Sequence, residues 1–153
     1  MRSESSARVA TRGGGDDAYR RRLRARATEE LRDGEQIVAM LPFASVPKLP
    51  RSPERRGRKG KVRTGIHQSW KRYRPCVVTG RRLLVFDSGR APNARSLLGA
   101  FPLDQVTMGP LGTGRFGTTT FVLGLPGIGD IPFETGRKEV ADVEVLRRAV
   151  VAV

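Results

Sequence analysis

The chain has 153 residues, of which 29 are Lys or Arg and 15 are Asp or Glu, so its formal net charge is +14, and it contains one His and one Cys. A single cysteine excludes a disulfide framework and a thiolate zinc site, and a single histidine excludes a multi-His metal centre. We therefore expect neither a metal nor a cofactor. A net positive charge this large predicts attraction to polyanions, either nucleic acid or an anionic lipid surface, and gives no information about the fold.

The length is that of one ordinary domain, or of a smaller domain with a tail. No apolar run approaches the ~18 residues that a membrane span needs. Arg21 and Arg22 are followed by further arginines, where an export signal would have a hydrophobic region. We expect a cytoplasmic protein, and peripheral association with the inner face of the membrane stays open.

At the amino terminus, residues 1–15 are small and polar, and we expect them to be disordered. A helix is predicted over residues 16–33, capped by Asp16 or Asp17 and ended by Gly34. Its other faces are rich in arginine, which fits either the solvated face of a helix packed on the domain or a helix that binds a membrane or nucleic acid. The apolar positions of this helix fall four apart: Tyr19, Leu23, Ala27 and Leu31.

The positive charge is concentrated in residues 51–74, which we call the basic segment. Ten basic residues and one acidic residue, Glu54, give it a net charge of +9, which leaves 14 − 9 = +5 for the rest of the chain. Such a cluster, unlike a diffuse excess, indicates a surface that meets an anionic partner. The ten residues are the candidate anion-binding site: Arg51, Arg55, Arg56, Arg58, Lys59, Lys61, Arg63, Lys71, Arg72 and Arg74.

A buried strand is predicted at residues 36–41, where a short apolar run ends at Pro42. Residues 47–74 contain three prolines and no sustained period, which predicts a long loop, although residues 62–70 could extend a strand. Within this loop, Trp70 and Tyr73 alternate with basic residues. They could stack on bases, lie at a lipid interface or pack at the edge of the core.

From Pro75 onward the pattern predicts short antiparallel strands. Residues 76–79 and 83–86 flank Gly80 and Arg81, which reads as a tight hairpin. Further strands are predicted at residues 96–98, 101–106, 118–125 and 131–133. A closing helix starts at Thr135 or Gly136, and its apolar positions recur three and four apart: Val140, Val143, Leu146 and Val150.

Other combinations of residues do not predict a catalytic centre. His67, Ser69 and Cys76 could supply a nucleophile and a base, but Cys76 begins an apolar strand, where a thiol is usually a core side chain. Residues 112–117 match G-x-G-x-x-G, yet the β-branched residues that follow predict a strand where a dinucleotide site needs a helix. We interpret them as a Gly-rich turn. The acidic residues of the closing helix are expected to be solvated or to favour the helix start: Glu139, Asp142 and Glu144.

The sequence of the first predicted hairpin resembles a motif of a known family. Residues 78–86, Val-Thr-Gly-Arg-Arg-Leu-Leu-Val-Phe, resemble the V-T-x-x-R-L hairpin of bacterial pleckstrin-homology-like and GRAM-like domains, and residues 102–106 resemble a strand that commonly follows it there. The resemblance covers about residues 31–150. In eukaryotic relatives, a loop between the first two strands often holds Lys and Arg that bind phosphoinositide phosphates. Lys59, Lys61 and Arg63 resemble that pattern, although this loop is unusually long and Arg-rich.

The resemblance implies a mainly β (α+β) fold over residues 34–150. This fold is a bent antiparallel sheet or partly open barrel of about seven short strands, capped by a C-terminal helix and preceded by the N-terminal helix. It also implies binding without catalysis. We therefore expect a non-enzymatic binding or adaptor module whose basic segment engages an anionic membrane lipid or an acidic protein surface. The alternative is a nucleic-acid-binding protein that clamps the phosphate backbone with the same segment, although the sequence has no recognisable motif of a helix-turn-helix, zinc-finger or RNA-recognition fold.

Overall fold

The computed structural model describes residues 14–46, 72–89 and 91–153. Within them, helices α1 (Gly14–Thr28) and α2 (Val140–Ala149) accompany a mainly β body, which confirms the predicted α+β class. The strands are β1 (Ile37–Leu41), β2 (Ser45–Val46), β3 (Arg72–Tyr73), β4 (Cys76–Thr79), β5 (Arg82–Ser88), β6 (Ala94–Pro102), β7 (Thr107–Met108), β8 (Gly112–Thr113), β9 (Thr119–Leu125), β10 (Gly129–Thr135) and β11 (Val151–Ala152).

The strands form two sheets. The first has the order β1-β4-β5-β6 and is antiparallel throughout. The second has the order β11-β7-β9-β10-β2-β3, with β8 added on β9, and β11 lies parallel to β7.

One long hairpin joins the two sheets. Its first arm is β1 in the first sheet and β2 in the second, and its second arm is β3 in the second sheet and β4 in the first. Both arms turn between the sheets at a proline, Pro42 in one and Pro75 in the other, and a hydrogen bond from the Arg74 amide to the Ala44 carbonyl (2.7 Å) joins the two corners. The chain between β2 and β3 contains nearly all of the basic segment, so that segment leaves from the second sheet.

The main core fills the space between the two sheets and is closed by α2. Val78 and Leu83 enter it from the first sheet, while Phe121 and Phe133 stack in the second sheet with ring centroids 5.9 Å apart. Leu146 of α2 is fully buried in the same cluster. The predicted periodicity of the closing helix thus produces a buried face, although Val140 is exposed and α2 begins later than predicted, after a 3-10 turn at Arg137–Glu139.

A second core lies on the outer face of the first sheet, under α1. Leu23 and Ala27 are 0% exposed and pack with Val77, Leu84 and Phe86. Because both faces of β4 and β5 are covered, these strands are continuously apolar rather than alternating. The helix is therefore packed on the domain, and it begins and ends earlier than the predicted residues 16–33.

The predicted division of residues 96–106 into two strands needs correction. The strands predicted at residues 96–98 and 101–106 are a single strand, β6, that ends at Pro102 and is followed by a 3-10 turn at Leu103–Gln105. Gly99 and Ala100 stay in register with β5, and their small side chains hide the continuity from a search for apolar runs. Residues 1–13 and the predicted strand at residues 62–70 lie outside the described residues.

Candidate functional site

The structure describes two of the ten candidate anion-binding residues. Arg72 forms β3 with Tyr73, and Arg74 follows at the corner of the hairpin. The remaining candidates lie outside the described residues: Arg51, Arg55, Arg56, Arg58, Lys59, Lys61, Arg63 and Lys71.

Arg74 fixes the end of the basic segment to the body of the fold. Its guanidinium donates to Asp87 Oδ1 of β5 (2.9 Å) and to the carbonyl of Tyr73 (3.2 Å). Ser88, next to Asp87, donates from its hydroxyl to the same Tyr73 carbonyl (2.7 Å). Strand β3 is thereby attached to β5 as well as to β2, and Arg74 has an acidic partner inside the protein.

A cleft of about 620 Å³ opens where the basic segment leaves and rejoins the body. Ser45 and Tyr73 lie in its wall, and they are paired residues of β2 and β3. The wall is completed by α1, the β1–β2 turn, the 3-10 turn at Arg137–Glu139, Thr118 and the end of β10. Its lining residues are Asp17, Arg20, Phe43, Ser45, Tyr73, Thr118, Glu134, Thr135, Gly136, Arg137, Lys138 and Glu139.

Aromatic rings form one side of the cleft. The Phe43 ring meets the Tyr19 ring edge-on at 5.7 Å between centroids and the Tyr73 ring at 6.5 Å. Tyr73 is half-buried in this contact, as expected for packing at the edge of the core, while Trp70 lies outside the described residues. The sequence gives little signal for Phe43, because it stands alone after Pro42 in a turn.

Glu139 forms the floor of the cleft. It is 2% exposed, and its two carboxylate oxygens accept hydrogen bonds from the backbone amides of Phe43 (2.9 Å) and Gly136 (3.0 Å). Burial raises the pKa of Glu139, and these two backbone hydrogen bonds oppose the rise. Of the two alternatives expected for Glu139, the solvated one is wrong, while the position at the helix start is found: Glu139 directly precedes α2, and its side chain joins that start to the β1–β2 turn.

The rim of the cleft carries charges of both signs. Arg20 of α1 is paired with Asp142 of α2 at 2.8 Å, and the lining residues Arg137 and Lys138 are exposed. The buried hydroxyl of Thr135 has no hydrogen-bond partner among the described residues. The remaining acidic residue of the closing helix, Glu144, is part-exposed and paired with Arg147 at 2.7 Å.

A second buried carboxylate explains the residues of the V-T-x-x-R-L motif. Glu35 accepts two hydrogen bonds from the Arg82 guanidinium (2.7 and 2.9 Å), one from the Thr79 hydroxyl (2.6 Å) and one from the Arg32 amide (2.9 Å). The Arg82 hydrogen bonds are the largest cause that lowers the pKa of Glu35 to about 2, against an opposing effect of burial. Thr79 and Arg82 thus hold the chain between α1 and β1 on the first hairpin, and their role is structural.

The structure does not favour Cys76 as a nucleophile. Its thiol is 1% exposed and donates to the Arg74 carbonyl, and burial raises its pKa, so the thiolate is disfavoured at neutral pH. His67 and Ser69 lie outside the described residues. The predicted turn at residues 112–117 is shorter in the structure, because Gly112 and Thr113 form β8; the turn begins at Gly114 and leads into β9, the strand predicted to follow.

Within the parts of the chain that the structure describes, no group of His, Cys, Asp or Glu could hold a metal ion, and no helix is long and apolar enough to cross a membrane. Fold and cleft together define an α+β domain of two joined sheets with a cleft at the root of a strongly basic segment. Comparison of the chain with protein-family models, curated proteins and solved structures finds no match.

Proposed function

We propose that the protein is a non-enzymatic binding module of the pleckstrin-homology-like or GRAM-like kind, whose basic segment engages an anionic partner, either a membrane lipid surface or an acidic protein face. The observation that carries this proposal is the position of the charge. A net charge of +9 lies in residues 51–74, and the chain enters and leaves this region through two paired strands at the wall of the cleft.

The arrangement of the body supports the proposal. A body of largely antiparallel strands with a C-terminal helix against its core is what the resemblance implies. The basic segment joins the two arms of the long hairpin that connects the sheets. In eukaryotic pleckstrin-homology-like domains, the loop between the first two strands often holds the Lys and Arg that bind phosphate groups. The two polar motif residues, Thr79 and Arg82, have a structural task in holding Glu35.

The charge is large enough for reversible association with an anionic bilayer. Each Lys or Arg near such a surface contributes about 1 kcal/mol before screening, and the attraction falls within a Debye length of about 8 Å at physiological salt. Nine net charges therefore allow binding that weakens steeply with added salt. About six contacts with DNA phosphates would instead give a slope of about −5 for log K against log salt.

Cosedimentation with phosphatidylserine-containing vesicles, in parallel with gel shifts on duplex DNA and on RNA across a salt series, tests the proposal. We expect vesicle binding that the double variant Arg55→Glu, Arg56→Glu weakens strongly. A matched control, Arg81→Glu with Arg148→Glu, changes two exposed arginines of the body. Both variants reverse two charges and so carry +10 in place of +14.

The control separates a local site from a general charge effect. Equal weakening by both variants would show that overall charge, and not the basic segment, drives binding. Tight binding to nucleic acid with none to vesicles or to an acidic protein such as a polyglutamate carrier would overturn the proposal in favour of phosphate-backbone clamping.

A further inference from the structure

An exposed aromatic ring stands at the tip of the Gly-rich turn between β8 and β9. Phe116 is 86% exposed, and its backbone has φ 57° and ψ 27°, in the left-handed region that bulky residues rarely adopt. Among the described residues it is the one non-glycine residue with a positive φ. Exposure of the apolar ring to water is unfavourable. The left-handed backbone of a bulky residue adds a second, conformational cost.

Hydrogen bonds at the base of the turn hold this conformation. The Gly114 amide donates to the Thr118 carbonyl (2.8 Å), and the Thr118 amide donates to the Arg115 carbonyl (3.2 Å). Gly117 has φ 77°, which lets the chain return to β9 directly after Phe116. The ring is therefore displayed by a closed, hydrogen-bonded turn.

Two arginines flank the turn that carries the ring, and the carboxylate of Glu134 lies at the base of this turn. Arg115 precedes it and is exposed, and the exposed Arg137 lies across the turn. A Cβ atom added at Gly117 would lie 3.2 Å from Cδ and Nε of the Arg137 side chain, so this side chain packs directly against the turn. An apolar tip with cations at its base is the arrangement of side chains that enter the headgroup region of an anionic bilayer.

The turn lies beside the strand that leads to the basic segment. The hydroxyl of Thr118, at the base of the turn, donates to the carboxylate of Glu134, and Glu134 is the residue of β10 that pairs with Ser45 of β2. A single residue thus links the Phe116 turn to the last described strand before the basic segment. The base of the Phe116 turn and Ser45 of β2 thus lie at the same end of β10.

We infer that Phe116 is a membrane-interface anchor, whose ring enters the boundary between headgroups and acyl chains of an anionic bilayer while Arg115 and Arg137 contact lipid phosphates. The inference rests on the proposed function and names the lipid surface as its partner. Phenylalanine has no polar atom to satisfy, so it gains most where hydrocarbon replaces water.

The test compares Phe116→Asn with wild type in cosedimentation with vesicles of phosphatidylcholine and phosphatidylserine. Asparagine tolerates the left-handed backbone, so the turn is kept and the ring is lost. The matched control is Ile128→Asn, which removes another exposed apolar side chain (61% exposed) at the far end of β9. We expect Phe116→Asn to bind about tenfold more weakly and the control to bind as wild type does. Circular dichroism and thermal unfolding verify that both variants fold.

The outcomes separate the inference from the proposed function. Wild-type vesicle binding that Phe116→Asn leaves unchanged would overturn the anchor and leave the module's anionic partner in place. No vesicle binding by wild type would overturn the anchor and the lipid form of the proposed function, and binding to an acidic protein would then be the remaining support for the module. Loss of RNA or DNA binding in Phe116→Asn, with vesicle binding unchanged, would reassign the ring to base stacking and so also refute the anchor.

A second measurement reports the position of the side chain directly. Trp70 is the single native tryptophan, so a Trp70→Phe, Phe116→Trp chain carries its fluorescence at the tip of the turn. We expect its emission to shift to the blue on anionic vesicles and to be quenched by lipids brominated near the headgroup. Emission unchanged on vesicles that sediment the protein would refute insertion of the ring.

Discussion

Replacement of Arg82 by Met is expected to destabilise the protein strongly at neutral pH. The Glu35 and Arg82 residues are 7% and 8% exposed, and the variant removes the cation and two of the four hydrogen bonds to the Glu35 carboxylate while keeping most of the apolar stem. A buried charge left without its partner typically costs about 3–5 kcal/mol. We therefore expect a loss of this size in the free energy of unfolding at pH 7.

The effect of pH has opposite signs in the two proteins. In wild type the pKa of Glu35 falls from 4.5 to about 2 on folding, so its stabilisation is complete above pH 4.5 and is lost as the pH falls toward 2. At about 1.36 kcal/mol for each pH unit this stabilisation amounts to about 3 kcal/mol. In Arg82→Met, burial without the cation raises the pKa of Glu35, so protonation of the Glu35 carboxylate at lower pH stabilises the folded variant. The difference in stability between the two proteins should thus shrink by most of its value between pH 7 and pH 3.

Urea unfolding followed by far-UV circular dichroism at pH 7, 5 and 3 measures this difference. Other titrating groups are common to both chains, so their effects cancel. The double variant Glu35→Leu, Arg82→Met serves as control and should recover most of the loss at pH 7, because no charge is then buried. A difference that is the same at pH 3 as at pH 7 would refute the assignment of the loss to the Glu35 carboxylate.

Three further predictions concern the packing of the body. Leu23→Ala should lower the free energy of urea unfolding by about 2–5 kcal/mol, since this side chain of α1 is fully buried against the first sheet. A loss below about 1 kcal/mol would mean that α1 is not part of the folded unit. Cys76 should react with a thiol reagent only after denaturant is added, and rapid reaction of the native protein would contradict its burial. A double-mutant cycle on Arg20 and Asp142, a part-exposed ion pair, should give a coupling energy of about 0.2–1 kcal/mol, and a much larger value would mean that the pair is desolvated.

Local patterns were sufficient to predict most of the β body. The hairpin at Gly80 and Arg81, the strands around Phe121 and Phe133 and the buried face of α2 follow from turn residues and apolar spacing, and the structure confirms them. The continuity of β6 was missed because Gly99 and Ala100 interrupt the apolar run while still forming backbone hydrogen bonds with β5.

The cleft could not be predicted, because it depends on contacts between residues far apart in the chain. Glu139 looks like an ordinary acidic residue at a helix start, and only its hydrogen bond to the Phe43 amide, 96 residues away, shows why it is buried. The sequence leaves three environments open for Tyr73, namely base stacking, a lipid interface and the edge of the core, and its contact with Phe43 depends on pairing between distant residues. The exposure of Phe116 also escaped prediction, since its positive φ belongs to a residue type that rarely adopts one.

The pairing of β2 with β3 has a consequence for how this protein can change. Val46 and Arg72 are partners in register, so the two ends of the intervening chain are held about 5 Å apart by the pairing of β2 with β3. Doubling the length of a loop closed in this way costs only about 0.6 kcal/mol. Closure of the chain thus places only a weak constraint on the length of residues 47–71, and we expect changes of length there to alter ligand preference more than stability.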